Sequence, residues 1–427
     1  MTEPLDSPRR DLLINSILKT APAGHRAALG VLALCTLMNL LSRGAGESFA
    51  VFLLPMAREF DADRAALTGV YSTYMLVIGL MSPVTGVVVD RLGPRRCFSL
   101  GLFMFASAYL LAGWMQALWH MYLLIGVMSA IGSSLIGAVP SSSLASRWFR
   151  TRLPSAMGVL SAALGVGMLI FAPLVQSLID QLGWRGAYHS IGVLLVVVIL
   201  PMLLLLPWRR IEAGSPEVVA ATASRVQSQA AWTIARALRS HVFWALAGVM
   251  FCTSVATFTI QVQLVAYLID AGYSALLAAT IFGLVGMLSI IGNLGAGALA
   301  ERFGERWVAT LSYGASIAGV VMLAFAALYP SVVFIAAFAL LFGTMQGSRA
   351  PLVAVLAARH FPGAMGRVYG MVLLGMGAGA ATGSWASGYL HDLTGAYYAG
   401  FALSIVGALG GLSFFWWVRA LSRMPSQ

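Results

Sequence analysis

The chain has 427 residues, of which 59% are hydrophobic and only 10% charged, with a mean hydropathy of +0.86. That composition excludes an ordinary soluble globular domain, because apolar runs of about 20 residues recur and each can cross a hydrocarbon core about 30 Å thick. A net charge of +11 does not point to nucleic acid either, since the basic residues are scattered between apolar runs and gather on no single face.

Residues 1–26 are expected to be a cytoplasmic tail. They lack the basic n-region, apolar stretch and small-residue cleavage site of a signal peptide. Within them Leu12, Leu13, Ile14, Ile17 and Leu18 suit either a short helix on the membrane surface or a disordered tail. Membrane-length windows then centre on Asn39, Val77, Met104, Gly132, Gly165 and Val196, and again on Phe258, Gly286, Ala318, Thr344, Gly379 and Ile405. This predicts an all-α membrane protein of twelve transmembrane helices, with six-helix bundles over 27–207 and 242–427. Residues 208–241, with Arg209, Arg210, Glu212, Glu217, Arg225, Arg236 and Arg239, read as a cytoplasmic linker.

Of the 26 Lys and Arg, only Arg58, Arg64 and Arg185 fall outside and only Arg43 and Arg349 within spans when both termini are placed in the cytoplasm. That asymmetry sets the expected orientation, and the expected location is a plasma membrane, taken to be a bacterial inner membrane. Trp114, Trp119, Trp148, Trp184 and Trp416 fall near predicted helix ends, as an interfacial aromatic belt requires. Cys35, Cys97 and Cys252 lie in apolar runs and read as reduced packing residues.

The chain repeats itself. Gly86, Asp90, Arg91, Gly93 and Arg95 follow the second span, and Gly297, Glu301, Arg302, Gly304 and Arg306 follow the eighth. Asp90 and Glu301 are 211 positions apart (301 minus 90), as are Pro140 and Pro351. Two copies of one fold are implied. The Gly-x-x-x-Asp-Arg-x-Gly-x-Arg run resembles the loop signature of the major facilitator superfamily, and the degenerate copy sits where that superfamily has its second. The resemblance implies two pseudo-symmetric bundles that rock about a midplane site. It also implies that these loops (Gly86, Asp90, Arg91, Gly93, Arg95, Glu301, Arg302 and Arg306) latch the halves together on the cytoplasmic face in the outward-facing state. Trp148-Phe149-Arg150 with Ala156 to Gly158, and Gly183-Trp184-Arg185, are similar to segments of the monocarboxylate porter and oxalate/formate exchanger branch. Those relatives often place an arginine in span eight, where this chain has Asn293.

Charged groups at the bilayer midplane cost about 2.5–3.5 kcal/mol on insertion scales, so they usually face a cavity or a partner. Asn39, Arg43 and Glu47, four apart, stack along one face of span one. Thr253, Thr257 and Gln261 repeat the pattern in span seven, Gln346 and Arg349 are three apart in span ten, and Tyr71 and Tyr74 give span two a polar-tipped pair. Arg43 and Glu47 suit either mutual neutralisation or a cavity role; Arg349 has no acid within its span. The charges favour an anion, which arginine can hold through a forked pair of hydrogen bonds.

The expected function is therefore secondary transport of a small organic anion, a mono- or dicarboxylate, with Glu47 as the candidate for proton coupling. Arg43, Arg349, Asn39, Tyr71, Tyr74, Gln261, Gln346 and Asn293 are the candidate substrate contacts. A multidrug exporter of the same fold is the alternative, although Gly165-Val166-Gly167 and Ala172-Pro173 do not reproduce the Gly-Pro signature of drug antiporters. An enzyme or receptor is disfavoured: the sole lysine is Lys19, and no His-Glu-x-x-His or Gly-x-Ser-x-Gly occurs. No cofactor, metal or nucleic-acid partner is expected, and the carrier should act as a monomer in the lipid bilayer.

Overall fold

The computed structural model of the protein describes residues 23–149, 153–213, 234–329, 331–361 and 365–418. Leu12 to Leu18 and most of the 208–241 linker lie outside the described residues. Among those described, nine helical stretches are long and apolar enough to cross a membrane. Two of them, Arg64–Ala112 and Ser155–Leu205, are pairs of spans joined at Gly93 and Gly183, and Met365–Thr394 adds one more, which completes twelve. Span 1 is Ala27–Phe60, spans 2 and 3 lie in Arg64–Ala112, span 4 is Leu118–Ser146, and spans 5 and 6 lie in Ser155–Leu205. Span 7 is His241–Asp270, span 8 Ala275–Phe303, span 9 Glu305–Leu328, span 10 Val332–His360, span 11 Met365–Thr394 and span 12 Tyr398–Trp417.

The internal repeat has a backbone counterpart. Gly93, between spans 2 and 3, has φ 79° and ψ 161°, and Gly304, between spans 8 and 9, has φ 80° and ψ 152°. A side chain at either position would be strained, so the glycines of the two signature copies make the same turn.

Four spans are broken within the membrane, in equivalent pairs. Span 1 is interrupted at Ser48 and span 7 between Gln261 and Leu264, while span 4 breaks at Gly137 and span 10 between Gln346 and Arg349. Spans 4 and 10 also contain wider π-helical turns, Tyr122–Met128 and Ala339–Gly343. Irregular backbone at this depth is tolerated where it is buried in protein or lines a cavity, and these breaks lie beside the polar side chains of spans 1, 7 and 10.

The two bundles meet along spans 2 and 11 and along spans 5 and 8. Small residues bring the backbones together: a Cβ added at Gly165 would fall 2.2 Å from the Gly286 carbonyl, and one at Gly377 2.8 Å from the Gly79 Cα. At the arginine-poor end the seam is sealed by charge. The Asp392 carboxylate, at the end of span 11, accepts from the backbone N–H of Arg64 (3.0 Å) and of Ala65 (2.7 Å), capping span 2 from the opposite bundle. Arg64 Nη2 in turn reaches Asp270 of span 7 at 3.1 Å. The same Asp270 oxygen accepts from the Tyr397 hydroxyl at 2.5 Å. Burial raises the Tyr397 pKa above its usual value, so the phenol stays protonated as a donor. At the arginine-rich end nothing comparable crosses the seam among the described residues. A Cβ at Gly86 or Gly370 would meet no atom within 4 Å. A Cβ at Gly158 of span 5 would still lie 3.6 Å from Leu294 of span 8, so at this end the described residues meet by apolar contact and not by charge.

Hydrogen bonds to charged groups contribute about 1.5–3 kcal/mol net. Asp392→Ala should therefore shift the population towards opening of the sealed end by roughly tenfold or more. Spin labels on Asp63→Cys and Leu393→Cys, read by double electron–electron resonance, should show a new, longer distance component; an unchanged distribution would mean that the seam is held without this cap.

Candidate functional site

Between the bundles lies a cavity of about 170 Å³. Span 1 contributes Arg43 and Glu47 to its wall, span 5 Leu164 and Met168, and span 11 Met376. Thr253, Thr257 and Gln261 of span 7 all reach it, together with Met250, Ser254 and Phe258. Spans 8 and 10 supply Ser289, Asn293, Gln346, Gly347, Arg349 and Ala350. Five of the sequence candidates, Arg43, Gln261, Asn293, Gln346 and Arg349, are thus brought together with Glu47. Asn39, Tyr71 and Tyr74 are not among the lining residues. The Asn39 amide instead donates to the Cys35 carbonyl of its own helix at 2.8 Å.

The two tyrosines form a layer behind span 1. Arg43 Nη2 lies 3.3 Å from Glu47 Oε1, one helical turn along, and the Tyr71 hydroxyl donates to the other Glu47 oxygen. Tyr71 is stacked on Phe49 and Tyr74. The Tyr74 hydroxyl donates to Ser133 Oγ at 3.0 Å, and Ser133 and Ser42 share a hydrogen bond of 2.7 Å. Glu47 is therefore held on both oxygens and is only 3% exposed, whereas the Arg43 side chain keeps 20% exposure. The pair neutralises itself, yet its cationic partner stays accessible.

Arg349 is handled differently. It is 2% exposed and is the first residue of the helix Arg349–His360, whose first turn carries no acid. A cation there faces the positive end of the helix dipole. No ion pair compensates it among the described residues. Its Nε donates to Ser312 Oγ (3.1 Å), and Nη2 donates to the Ser312 carbonyl (3.1 Å) and to Ser316 Oγ. The guanidinium carbon lies 4.3 Å from the centre of the Tyr313 ring, and the Tyr313 hydroxyl is 2.6 Å from Thr253 Oγ1 in the cavity wall. Nη1 has no hydrogen-bond partner among the described residues. The fork expected for carboxylate binding is thus already occupied on the Nε–Nη2 edge, because span 9 supplies acceptors that the sequence pattern of span 10 does not reveal.

The signature loop lies away from this cavity, at the arginine-rich end. Asp90 and Arg91 are exposed and make no hydrogen bond or ion pair among the described residues. The Arg95 N–H donates to Glu212 Oε1 at 3.0 Å, and Gly93 lies against the same carboxylate, so the turn is capped by the helix Trp208–Ala213. In the second copy Arg306 Nε donates to the Phe415 carbonyl at 3.1 Å, within its own bundle. Arg302 lies against the ring of Phe303, and the Glu301 side chain is outside the described set.

The family model described as Major Facilitator Superfamily matches residues 32–343 and 289–426. Over 374 residues the chain is 28% identical to monocarboxylate transporter 13 of Bos taurus, covering 86% of this chain and 84% of that one. It is 26% identical over 372 residues to the uncharacterized MFS-type transporter YcxA of Bacillus subtilis, covering 84% and 87%. Among solved structures it is similar to the D-xylose-proton symporter, with a TM-score of 0.69 at 16% identity over 91% of this chain and 97% of that one. It is also similar to the partially occluded inward open form of the xylose transporter XylE from E. coli, with a TM-score of 0.71 at 13% identity over 92% and 97%. The likeness to these two structures speaks for the fold alone.

Removing one member of a buried ion pair typically costs about 3–5 kcal/mol, because the other charge is left desolvated. Glu47→Ala should therefore lower the thermal stability of the purified protein clearly. The double variant Arg43→Ala/Glu47→Ala should recover part of the loss. A thermal unfolding series in which the two effects simply add would show that the pair is not coupled.

Proposed function

Because the chain belongs to the major facilitator superfamily, and is a membrane transporter rather than an enzyme, we propose that it carries a small organic anion, a mono- or dicarboxylate, by alternating access. The observation behind this reading is Arg349: a buried cation at the cavity wall with no counter-ion among the described residues. An anion bound there supplies what the protein omits.

With the arginine-poor end taken as the outside, the seal of Asp392, Asp270 and Arg64 across the outer seam supports reading this form as closed to the outside. The charged loops after spans 2 and 8 would then engage the opposite bundle only when the inner end closes. Arg43 is the second anion contact, available when its bond to Glu47 is given up. Protonation of Glu47 removes the charge that holds Arg43, so proton uptake and anion uptake favour each other. Gln261, Gln346 and Asn293 are the polar groups available to read the rest of the molecule.

A second reading, a multidrug exporter, draws support from Met168, Met250 and Met376, whose flexible thioethers adapt to varied apolar ligands. Counterflow into proteoliposomes with labelled carboxylates, set against lipophilic cations, separates the two.

Arg349→Ala should abolish carboxylate uptake while leaving a folded, monodisperse protein; wild-type uptake by this variant would end the anion reading. Glu47→Gln mimics the neutral acid. It should bind anion with little pH dependence and retain exchange of internal for external substrate, but lose accumulation driven by an imposed pH gradient. Accumulation at the wild-type level would leave Glu47 as the structural partner of Arg43 only.

A further inference from the structure

Spans 9 and 12 pack on each other and are not among the helices along which the bundles meet. At the arginine-rich end of this pair the surface is both aromatic and basic. Trp307 of span 9 and Trp416 of span 12 stand edge to face, with ring centres 6.0 Å apart, and both are exposed, as is Trp417. Such rings favour the boundary between headgroups and hydrocarbon. Arg306 is fixed among them. Its Nε donates to the Phe415 carbonyl at 3.1 Å, and its guanidinium carbon lies 5.6 Å from the centre of the Trp416 ring. Trp416 is held in turn, since its indole N–H donates at 3.2 Å to Thr310 Oγ1, one turn along span 9 from Arg306.

Nη1 and Nη2 of Arg306 make no hydrogen bond among the described residues, and neither is among the buried atoms that lack a partner, so both open on the surface. The neighbouring acid does not neutralise them. Glu305 is buried and gives its carboxylate to Arg359 of span 10 at 2.9 Å. Leu311, one turn deeper in span 9, and Leu409, two turns deeper in span 12, are exposed and continue the faces of Trp307 and Trp416 into the hydrocarbon. A cation with a free two-nitrogen edge therefore stands at the head of an exposed apolar track.

We propose that Arg306, Trp307 and Trp416 form a site for the headgroup of an anionic phospholipid, with its phosphate on the Nη1–Nη2 edge and its acyl chains along Leu311 and Leu409. A guanidinium edge holds a phosphate through two parallel hydrogen bonds, and a side chain already fixed gives up little freedom on binding. A free phosphate would satisfy the cation and leave the indole faces and leucines uncovered, whereas a lipid covers both. A zwitterionic headgroup brings its own cation beside Arg306, which favours the anionic lipid. The site is separate from the central cavity, and its fate is independent of the anion reading.

The internal repeat supplies a control. Arg95 is related to Arg306 by the same 211 positions (306 minus 95) and is exposed on the other bundle, where its backbone N–H makes the contact to Glu212. The full-length purified protein is titrated in detergent with phosphatidylglycerol or phosphatidylcholine of the same acyl chains, and the first lipid bound is followed by native mass spectrometry. Phosphatidylglycerol should bind about tenfold more tightly, the worth of a hydrogen bond to a charged group. Arg306→Gln should bring that ratio most of the way to one, and Trp416→Leu part of the way, because the guanidinium then loses the ring that holds it. Arg95→Gln should leave the ratio unchanged, and glycerol 3-phosphate should not compete.

Equal binding of the two lipids by the wild type would overturn the proposal. An equal fall in Arg95→Gln and Arg306→Gln would also overturn it, by showing attraction to the basic face at large. Competition by glycerol 3-phosphate at lipid concentrations would make this a phosphate site and not a lipid site. Arg306→Gln also loses the bond to Phe415; if that variant does not fold, Trp416→Leu decides, and an unmoved ratio there sinks the site.

Discussion

A guanidinium held inside a bilayer with no counter-ion among the described residues is the constraint on which the rest of this structure turns. Insertion scales put the cost of such a group at about 2.5–3.5 kcal/mol. The protein offsets it with dipoles: two hydroxyls and a carbonyl of span 9 and the face of Tyr313. Neutral acceptors can solvate a cation without cancelling its charge, so the field in the cavity stays positive. The N-terminal bundle faces the same cost at Arg43 and meets it with a carboxylate, which does cancel the charge. The two bundles are related by an internal repeat, but their arginines have been treated in opposite ways.

That asymmetry is framed by a backbone whose seams are of two kinds. At membrane depth the bundles touch through glycines such as Gly165 and Gly286, where close approach without polar groups lets one surface move against the other. At the water-exposed end they are joined by Asp392 on the N-terminus of span 2 and by Arg64 on Asp270. Charged contacts belong there. Near water, the groups can be rehydrated when the seam parts, so breaking it costs far less than parting an ion pair in hydrocarbon would.

Much of the fold was legible because bilayer thickness imposes a length on every span and the repeat imposes a spacing of 211 residues. Gly93 and Gly304, matched by that spacing alone, adopt the same backbone turn. The cavity was legible to the extent that helical periodicity places a residue on a face: Arg43 with Glu47, and Thr253 with Thr257 and Gln261. Periodicity cannot say which of two neighbouring faces is the wet one. Asn39 follows the same four-residue stripe as Arg43 but lies one turn earlier in span 1, where it bonds back to Cys35; Tyr71 and Tyr74 turn towards the back of Glu47 and towards Ser133. The apolar wall, Met168, Met250 and Met376 included, gave no signal, since an apolar side chain reads alike towards a cavity, a neighbouring helix or lipid. Ser312 and Ser316 escaped for a related reason. Isolated serines in a membrane helix commonly bond their own backbone, and only the packing of span 9 on span 10 shows that these two serve an arginine.

A carrier must release what it binds, and the proposed division of labour between the two arginines serves release as much as capture. Were both guanidinium forks open to one carboxylate in a dry cavity, the bound state would be so deep that the half-cycle could stall there, because affinity gained in the occluded state must be returned at exit. The span 9 acceptors that already hold Nε and Nη2 of Arg349 would limit the depth of that well from one side. Glu47 limits it from the other, since its carboxylate sits one turn from Arg43 and can retake the guanidinium as the anion leaves. Displacement by an internal competitor needs no water at the moment of exchange, which matters in a cavity of about 170 Å³ with little room for hydration of a departing ion. On the proposed anion reading, the fixed arginine would set where the anion sits, and the paired arginine would set when it can leave.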